Sequence, residues 1–332
     1  MPPQTSNAKQ STQKPREPER TLLQKLLVPL FMLVIFWGLA ISLWRASGQL
    51  FFVLNFGYIG TSIALGMGLL ALLPRKRKSL GRRLTLFLVG GYMLGLLGLL
   101  GHENIQIEGF WLYLLGGVFA GATMHYLVAK IVGPLIFGRA WCGWACWTAM
   151  VLDLLPHRQS PGRVSGGWGN LRYVHFALSL GLVSALWFGF DYRLTLEQRS
   201  APLYWLLVGN LIYYASGLGL TFALRDNRAF CKYLCPITAF LKTTSRFSLM
   251  KIKGNATNCT GCGSCARQCP MDIRIPEYVQ TSRRVQSTEC ILCQSCIHAC
   301  PTRTLKLSFG FDLGGRELLR TRVADAKPSA EA

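Results

Sequence analysis

Two stretches near the C-terminus decide how the chain is read. The first is Cys259-Thr-Gly-Cys262-Gly-Ser-Cys265-Ala-Arg-Gln-Cys269-Pro270. The second is Cys290-Ile-Leu-Cys293-Gln-Ser-Cys296-Ile-His-Ala-Cys300-Pro301, which repeats the first at an offset of 31 residues. Both read C-x₂-C-x₂-C-x₃-C-P. Three thiolates at this spacing wrap one loop round three corners of a 4Fe–4S cube. The fourth, held before a proline, reaches the other cube. On that pattern one cluster takes Cys259, Cys262, Cys265 and Cys300, and the other takes Cys290, Cys293, Cys296 and Cys269. Gly261 and Gly263 leave room for backbone N–H groups to approach sulfur. Ile291, Leu292 and Ile297 are placed to shield the second cube from water. Zinc is the bland alternative. Zinc motifs usually split their cysteines into two distant pairs, whereas here four lie within eleven residues, twice.

The flanks of the repeats extend this unit. Arg246-Phe-Ser-Leu-Met-Lys-Ile-Lys253 before them and Thr304-Leu-Lys-Leu-Ser-Phe309 after them lean to strand alternation. Residues 246–312 are therefore expected to form an α+β two-cluster ferredoxin domain of the bacterial type, and residues 313–332 a tail.

Upstream the chain changes character. Of its 332 residues 51% are hydrophobic and only 15% charged, against roughly a quarter charged in an ordinary soluble domain. Six apolar stretches, at about 26–44, 50–73, 84–100, 110–137, 173–190 and 203–224, each approach the roughly 20 residues a helix needs to span a bilayer. They predict an all-α polytopic domain over 26–245, preceded by a disordered polar tail over 1–25. The first stretch is expected to remain as a signal anchor. Glycines inside the spans, as in Gly66-Met67-Gly68 and Gly116-Gly117, suit close helix contact.

The formal net charge of +21 invites a nucleic-acid reading, but its placement explains it otherwise. If the N-terminus is cytoplasmic, the inner segments before residue 225 hold 15 basic residues and the outer loops only 3. That bias is the positive-inside rule. It predicts an inner-membrane protein with both termini, the ferredoxin domain and all twelve cysteines on the cytoplasmic side. Nucleic acid is not required as a partner.

The other cysteines form two pairs. Cys142-Gly-Trp-Ala-Cys146 follows the fourth stretch, and Cys231-Lys-Tyr-Leu-Cys235-Pro236 follows the sixth. Spacing of i, i+4 on a helical turn puts both sulfurs of a pair on one face. Arg139, Arg228 and Lys232 nearby are expected to favour thiolate. Three readings stand: small buried core residues, a further metal or cluster site, or a redox dithiol. The sharp expectation is that Cys142, Cys146, Cys231 and Cys235 converge into one site at the membrane edge.

Polar residues in the apolar region are functional candidates by default. His125 and His175 are read as packing residues, quinone contacts or haem ligands. His102, Glu103 and Glu108 are read together as a short outer loop, either simply solvated or able to take protons from a quinol. His298, between two cluster ligands, is placed to tune potential through a sulfur hydrogen bond. There is no phosphate-binding glycine loop, hydrolase triad or dinucleotide fingerprint.

The combination of several spans, two Cys-x₃-Cys pairs following spans and a C-terminal two-cluster ferredoxin resembles the NapH/MauN-type membrane ferredoxins, a group related to the membrane cores of NosR and CcoG. The resemblance covers about residues 26–312. It implies electron transfer between the quinone pool and a partner redox protein, as in a quinol dehydrogenase-type subunit. Trp147 stands where the family carries proline after the first pair. Without a large flavin domain before the first span or an extra domain after the ferredoxin, neither a full NosR-like protein nor CcoG-like copper reduction is expected. Two rival readings are a copper-handling protein or cupric reductase acting through the membrane-edge cysteines, and an anchoring subunit of a redox complex.

Overall fold

The computed structural model describes residues 21–119, 121–193 and 200–322. The chain opens with α1 (Leu22–Ser47), whose start is set by Thr21: its hydroxyl and the Gln24 side chain cap one another's backbone N–H groups. Helix α1 turns at Gly48 into α2 (Phe51–Leu72), and a turn at Arg75–Arg77 leads to α3 (Ser79–Gly91), which continues as π-helix through Tyr92–Leu100. The apolar side chains of α1 are largely exposed, Leu23 and Val34 by about 70%. Such a surface suits lipid and not water. Helices α2 and α3 cross at backbone contact. A Cβ on Gly66 would stand 2.7 Å from the Gly81 carbonyl oxygen, and one on Gly81 would stand 2.4 Å from that of Gly66. Gly68 has nothing near it, so only one glycine of that pair serves packing.

The fourth apolar stretch is not one helix. It divides into the half-helix α4 (Ile107–Leu115), a turn at Gly116 and Gly117, and a rod made of α5 (Ala122–Tyr126), a π-helical stretch (Leu127–Val132) and α6 (Gly133–Phe137). Gly117 adopts φ +68° in that turn, so this glycine pair bends the chain instead of packing helices. Among the described residues five helices are long and apolar enough to cross a membrane: Leu22–Ser47, Phe51–Leu72, Arg75–Leu100, Gly167–Gly189 and Ser200–Leu224. Ala122–Phe137 is a shorter apolar helix.

Two short helices follow α6: α7 (Ala140–Trp144) and α8 (Trp147–Leu152). The long apolar pair is α9 (Leu171–Ser184), extended as π-helix to Gly189, and α10 (Ser200–Leu224). Next come α11 (Ala229–Tyr233) and α12 (Thr238–Ser245). The C-terminal unit holds β1 (Met250–Lys253), α13 (Ser264–Arg267), α14 (Ile275–Gln280), α15 (Ser295–Ala299) and β2 (Lys306–Phe309). Its two strands pair antiparallel, from Met250 opposite Phe309 to Lys253 opposite Lys306.

Residues 313–322 depart from the expected tail. Leu318 accepts from the Arg274 N–H, Glu317 accepts from Thr288, and Arg320 pairs with Asp272 at 3.0 Å. The Arg163 and Arg322 N–H groups bond Arg320 and Arg163 carbonyls, so this strap ties the C-terminal unit to the loop before α9. One buried core also runs through both parts: Ile107, Phe110, Tyr126 and Cys142 join Ile252, Ile273, Ile291 and Leu292.

Candidate metal centres

The sequence repeat is also a repeat of backbone conformation. Gly261 and Gly263 hold φ +67° and +70°, and Leu292 and Gln294, 31 residues on, hold +48° and +61°. Asp272 and Arg303 match in the same way at +59° and +54°. Left-handed conformation is cheap for glycine and costs other residues roughly 1–2 kcal/mol. The second loop bears that cost with leucine and glutamine, so its surroundings hold it in shape.

Each loop closes round a cavity. One, with about 360 Å³ of open space counted to its mouth, is lined by Cys269, Cys290, Cys293 and Cys296 among apolar side chains such as Ile252 and Ile273. The other, of about 330 Å³, is lined by Cys259, Cys262, Cys265 and Cys300 with Val279 and Leu305. Each cavity thus gathers three cysteines of one repeat and the last of the other. Among the described residues no three His, Cys, Asp or Glu side chains are drawn together as a single ion would require. Sulfurs spaced round a cavity fit a polynuclear cluster better than zinc. Burial pushes the Cys269 and Cys290 thiols up to about 12 and Cys265 up to about 11. The exposed Cys262 is drawn down to about 7 by the Ser264 hydroxyl. His298 lies on α15 with its Nε2 buried and unpartnered among the described residues. Burial, with Lys78 and Arg75 close by, pushes it down to about 4, so its imidazole is neutral at pH 7.

The membrane-edge cysteines lie on matched turns. Cys142 sits in α7 and Cys146 caps α8, while Cys231 sits in α11 and Cys235 follows it. Cys142 and Cys231 are buried, Cys146 and Cys235 partly so. Cys142 and Cys146 both lie within electrostatic reach of Cys231 and Cys235, so the two pairs are neighbours, but no three of the four are drawn together as a single ion would require. Three buried cations surround them. Arg228 donates to the Cys142 carbonyl at 3.0 Å, Arg139 approaches Cys142 and Cys231, and Lys130 faces Cys146, Cys142 and Cys235. Arg139 and Arg228 are paired with Glu289 and Asp153. Among the described residues Lys130 has no carboxylate partner; its ammonium lies 3.8 Å above the Trp141 ring.

The expected thiolate activation is corrected in two respects. Lys232 points away from the cysteines and binds Asp226 and Asp272 at 2.6 and 2.5 Å. Burial outweighs the remaining cations, pushing Cys231 up to about 11 and Cys235 well above the usual thiol range. Burial thus favours the thiol form at Cys231 and Cys235.

The two sets of cysteines meet through the second ferredoxin loop. A Cβ on Gly143 would come 2.4 Å from the Ile291 carbonyl oxygen, and Trp144 Nε1 donates to the Leu292 carbonyl at 3.0 Å. Below this contact lies Glu289, next to Cys290 and 1% exposed. Its carboxylate meets Arg139 at 2.7 Å, Arg163 and Arg172 at 3.0 Å and Lys242 at 2.6 Å. Burial alone would raise this carboxyl, but the four cations hold it well below the usual range. The sequence reading missed Glu289 and Lys130. The available signals were an acidic residue abutting a ligand in a basic domain, and a lone lysine inside an apolar stretch.

The outer-loop reading of Glu108 is also corrected. It lies in the first turn of α4 and accepts from Ser179, about halfway along the apolar rod that begins at Leu171. His175 contacts the Leu234 carbonyl through Nδ1 at 2.9 Å, and His125 stands edge-on to Trp141.

Comparison with known proteins matches this layout. A 4Fe-4S dicluster domain model matches residues 258–305, and a 4Fe-4S binding domain model matches 111–159 and 214–255, which contain the two membrane-edge pairs. An uncharacterised protein of Methanocaldococcus jannaschii is 31% identical over 202 residues, 58% of this chain and 81% of the relative. The methylamine utilization ferredoxin-type protein MauN of Methylobacillus flagellatus is 28% identical over 228 residues, 60% of this chain and 78% of its own. The putative electron transport protein YccM of Escherichia coli is 27% identical over 183 residues, 50% of this chain and 51% of its own. No solved structure matches significantly.

Proposed function

The chain belongs to the NapH/MauN-type membrane ferredoxin family, and from that premise we propose that it relays electrons between the quinone pool and a partner redox enzyme. It is a multi-pass, electron-transfer protein of the 4Fe-4S ferredoxin type. The observation that carries the finer reading is the seating of the Cys290–Cys293 loop on the Cys142 turn, while Cys262 of the other quartet stays exposed. One end of the cysteine array faces the apolar domain and the other faces water. When bound, the clusters supply one-electron acceptor and donor capacity.

In this reading Cys259, Cys262, Cys265 and Cys300 hold one 4Fe-4S cluster, and Cys290, Cys293, Cys296 and Cys269 hold the other. Cys142, Cys146, Cys231 and Cys235 hold a third, metal-containing centre. Lys130, which has no carboxylate partner among the described residues, supports that centre, because a buried cation in an apolar interior is costly unless an anionic group faces it. The domain division is residues 26–245 for the membrane part and 246–312 for an α+β ferredoxin part. The broken rod Ala122–Phe137 serves as the sixth membrane segment, and the basic bias supports a cytoplasmic ferredoxin part at the inner membrane.

Quinol titration of the protein in liposomes, read by electron paramagnetic resonance, tests the relay. Reduction of the clusters by quinol is the expected result. Cluster oxidation by cupric ion with no response to quinol would support the copper-handling reading instead, and response to neither would leave an anchoring subunit. Replacing all four membrane-edge cysteines by serine should lower metal per chain. Unchanged iron, copper and zinc would remove the third centre.

A further inference from the structure

Helix α4 starts inside the apolar domain and not at its rim. The segment leading into it is buried, with Asn104, Ile105, Gln106 and Ile107 at most 1% exposed. Ile105 packs with Trp147 and Leu206. From Glu108, level with Ser179, the half-helix runs outward to Leu112, which packs on Val183 and Trp187. Irregular backbone at membrane depth persists only where protein buries it or where it borders a polar site, and half-helices of this kind commonly border ligands.

Unpartnered polar atoms collect beside this start. Glu108 Oε2, Trp111 Nε1 and the hydroxyls of Tyr126 and Tyr213 are buried without a hydrogen-bond partner among the described residues. Tyr126 and Tyr213 are 0% and 2% exposed. Each such group costs a few kcal/mol if left unmade, which makes their gathering in one place informative. Both phenols lie within electrostatic reach of Glu108 on one side and of Cys146 and Cys235 on the other. The surroundings are aromatic. Phe110 stacks on Tyr126 with centroids 4.7 Å apart, and the half-buried Trp111 and Phe176 meet edge-on at 5.7 Å.

A ligand matching these polar atoms and rings has a flat ring, an oxygen at each end and an apolar remainder. We propose that Glu108, Tyr126 and Tyr213 bind the headgroup of a quinol, with the Glu108 carboxylate accepting from one ring hydroxyl and the phenols bonding the other. The assignment rests on the quinone-pool reading above. It adds a place to it: the mouth of α4, between the apolar interior and the four membrane-edge cysteines. Ser179 and His175 are positioning residues. Ser179 holds the other carboxylate oxygen at 3.0 Å, and the His175 ring meets Tyr213 edge-on at 5.7 Å.

The test uses full-length protein in liposomes and two measurements. An azido-benzoquinone with a short isoprenoid tail is photo-crosslinked and the label is mapped. Equilibrium binding of the matching unmodified benzoquinol is then compared between the wild type, Glu108→Gln and Tyr213→Phe. The expected label falls within residues 104–126 or on α10 near Tyr213. Affinity is expected to fall about tenfold in Glu108→Gln, as loss of one charge-assisted hydrogen bond implies, and less in Tyr213→Phe. The iron–sulfur absorbance of the oxidised protein, and its bleaching by dithionite, report that each variant is folded. If Glu108→Gln loses that signal, Tyr213→Phe, a change of one oxygen, carries the test. Label elsewhere, or unchanged affinity in the folded variants, would overturn the site while the quinone reading stood. A wild type that binds no benzoquinol would overturn both.

Discussion

Replacing Glu289 by Gln should loosen the ferredoxin part from the membrane part. The carboxylate sits in the ferredoxin sequence, one residue before Cys290. Its four cations come from elsewhere: Arg139 before α7, Arg163 in the following loop, Arg172 in α9 and Lys242 in α12. They would not suffer equally. Arg172 keeps the Gly169 and Lys232 carbonyls, and the Lys242 side chain is 20% exposed and can turn to water. Arg139 is wholly buried, its Nε and Nη2 already lack partners, and Glu289 is its one carboxylate among the described residues. Removing one member of a buried pair typically costs about 3–5 kcal/mol, mostly the penalty of the stranded charge. That is a large share of the roughly 5–15 kcal/mol that holds a typical domain folded. The assay is guanidinium unfolding followed at the iron–sulfur absorption, with limited proteolysis reporting release of the ferredoxin part. Asp191→Asn is the control, because its pair with Arg193 is exposed and should contribute less than about 1 kcal/mol. A Glu289→Gln protein as stable as that control would refute the reasoning, since Arg139 would then have found another partner or water.

Three further outcomes follow from the same contacts. Gly81→Ala should lower thermal stability by about 1–3 kcal/mol, because its Cβ would meet the backbone of Gly66 and Leu70, whereas Gly68→Ala, with open space, should be neutral or slightly stabilising. Equal melting shifts in the two would discount the α2–α3 crossing. Cys300→Ala should deplete the cluster held by Cys259, Cys262 and Cys265 more than that of its own repeat, as seen by iron analysis and electron paramagnetic resonance. Burial would raise the Asp312 carboxyl, yet hydrogen bonds from Lys251 and Arg284 hold it below its usual value. Its stabilisation should therefore be full above about pH 5 and fade as pH drops through 4 and below. The stability gap between wild type and Asp312→Asn should narrow over that range, and a gap that widened on acidification would contradict the ion pair.

Much of the molecule could be read from local pattern. The cysteine spacing brought the repeat into view, and the left-handed turns at Leu292 and Gln294 reproduce those at Gly261 and Gly263 without glycine. Mean apolarity located the long helices, because every backbone group in a spanning helix is satisfied within its own segment, so length and composition suffice. The pattern failed in the fourth stretch. Residues 110–137 are apolar throughout, but the turn at Gly116–Gly117 and the buried entry at Asn104–Ile107 break the rod. Hydropathy is an average and does not register where a chain turns back.

What the sequence determined by itself was therefore short-range: which cysteines share a loop, which stretches are apolar enough for a bilayer, and which connecting segments carry the positive charge. Tertiary structure alone decided which groups stand together across the chain. It set Arg139 against Glu289, 150 residues away, Ser179 against Glu108, 71 residues away, and the Cys142 turn beneath Ile291. The physical reason is that loop geometry and hydropathy act over a few bonds or one helix length. Ion pairing and polar burial are settled by whichever partners packing brings within about 3 Å, and nothing in the local sequence records that distance.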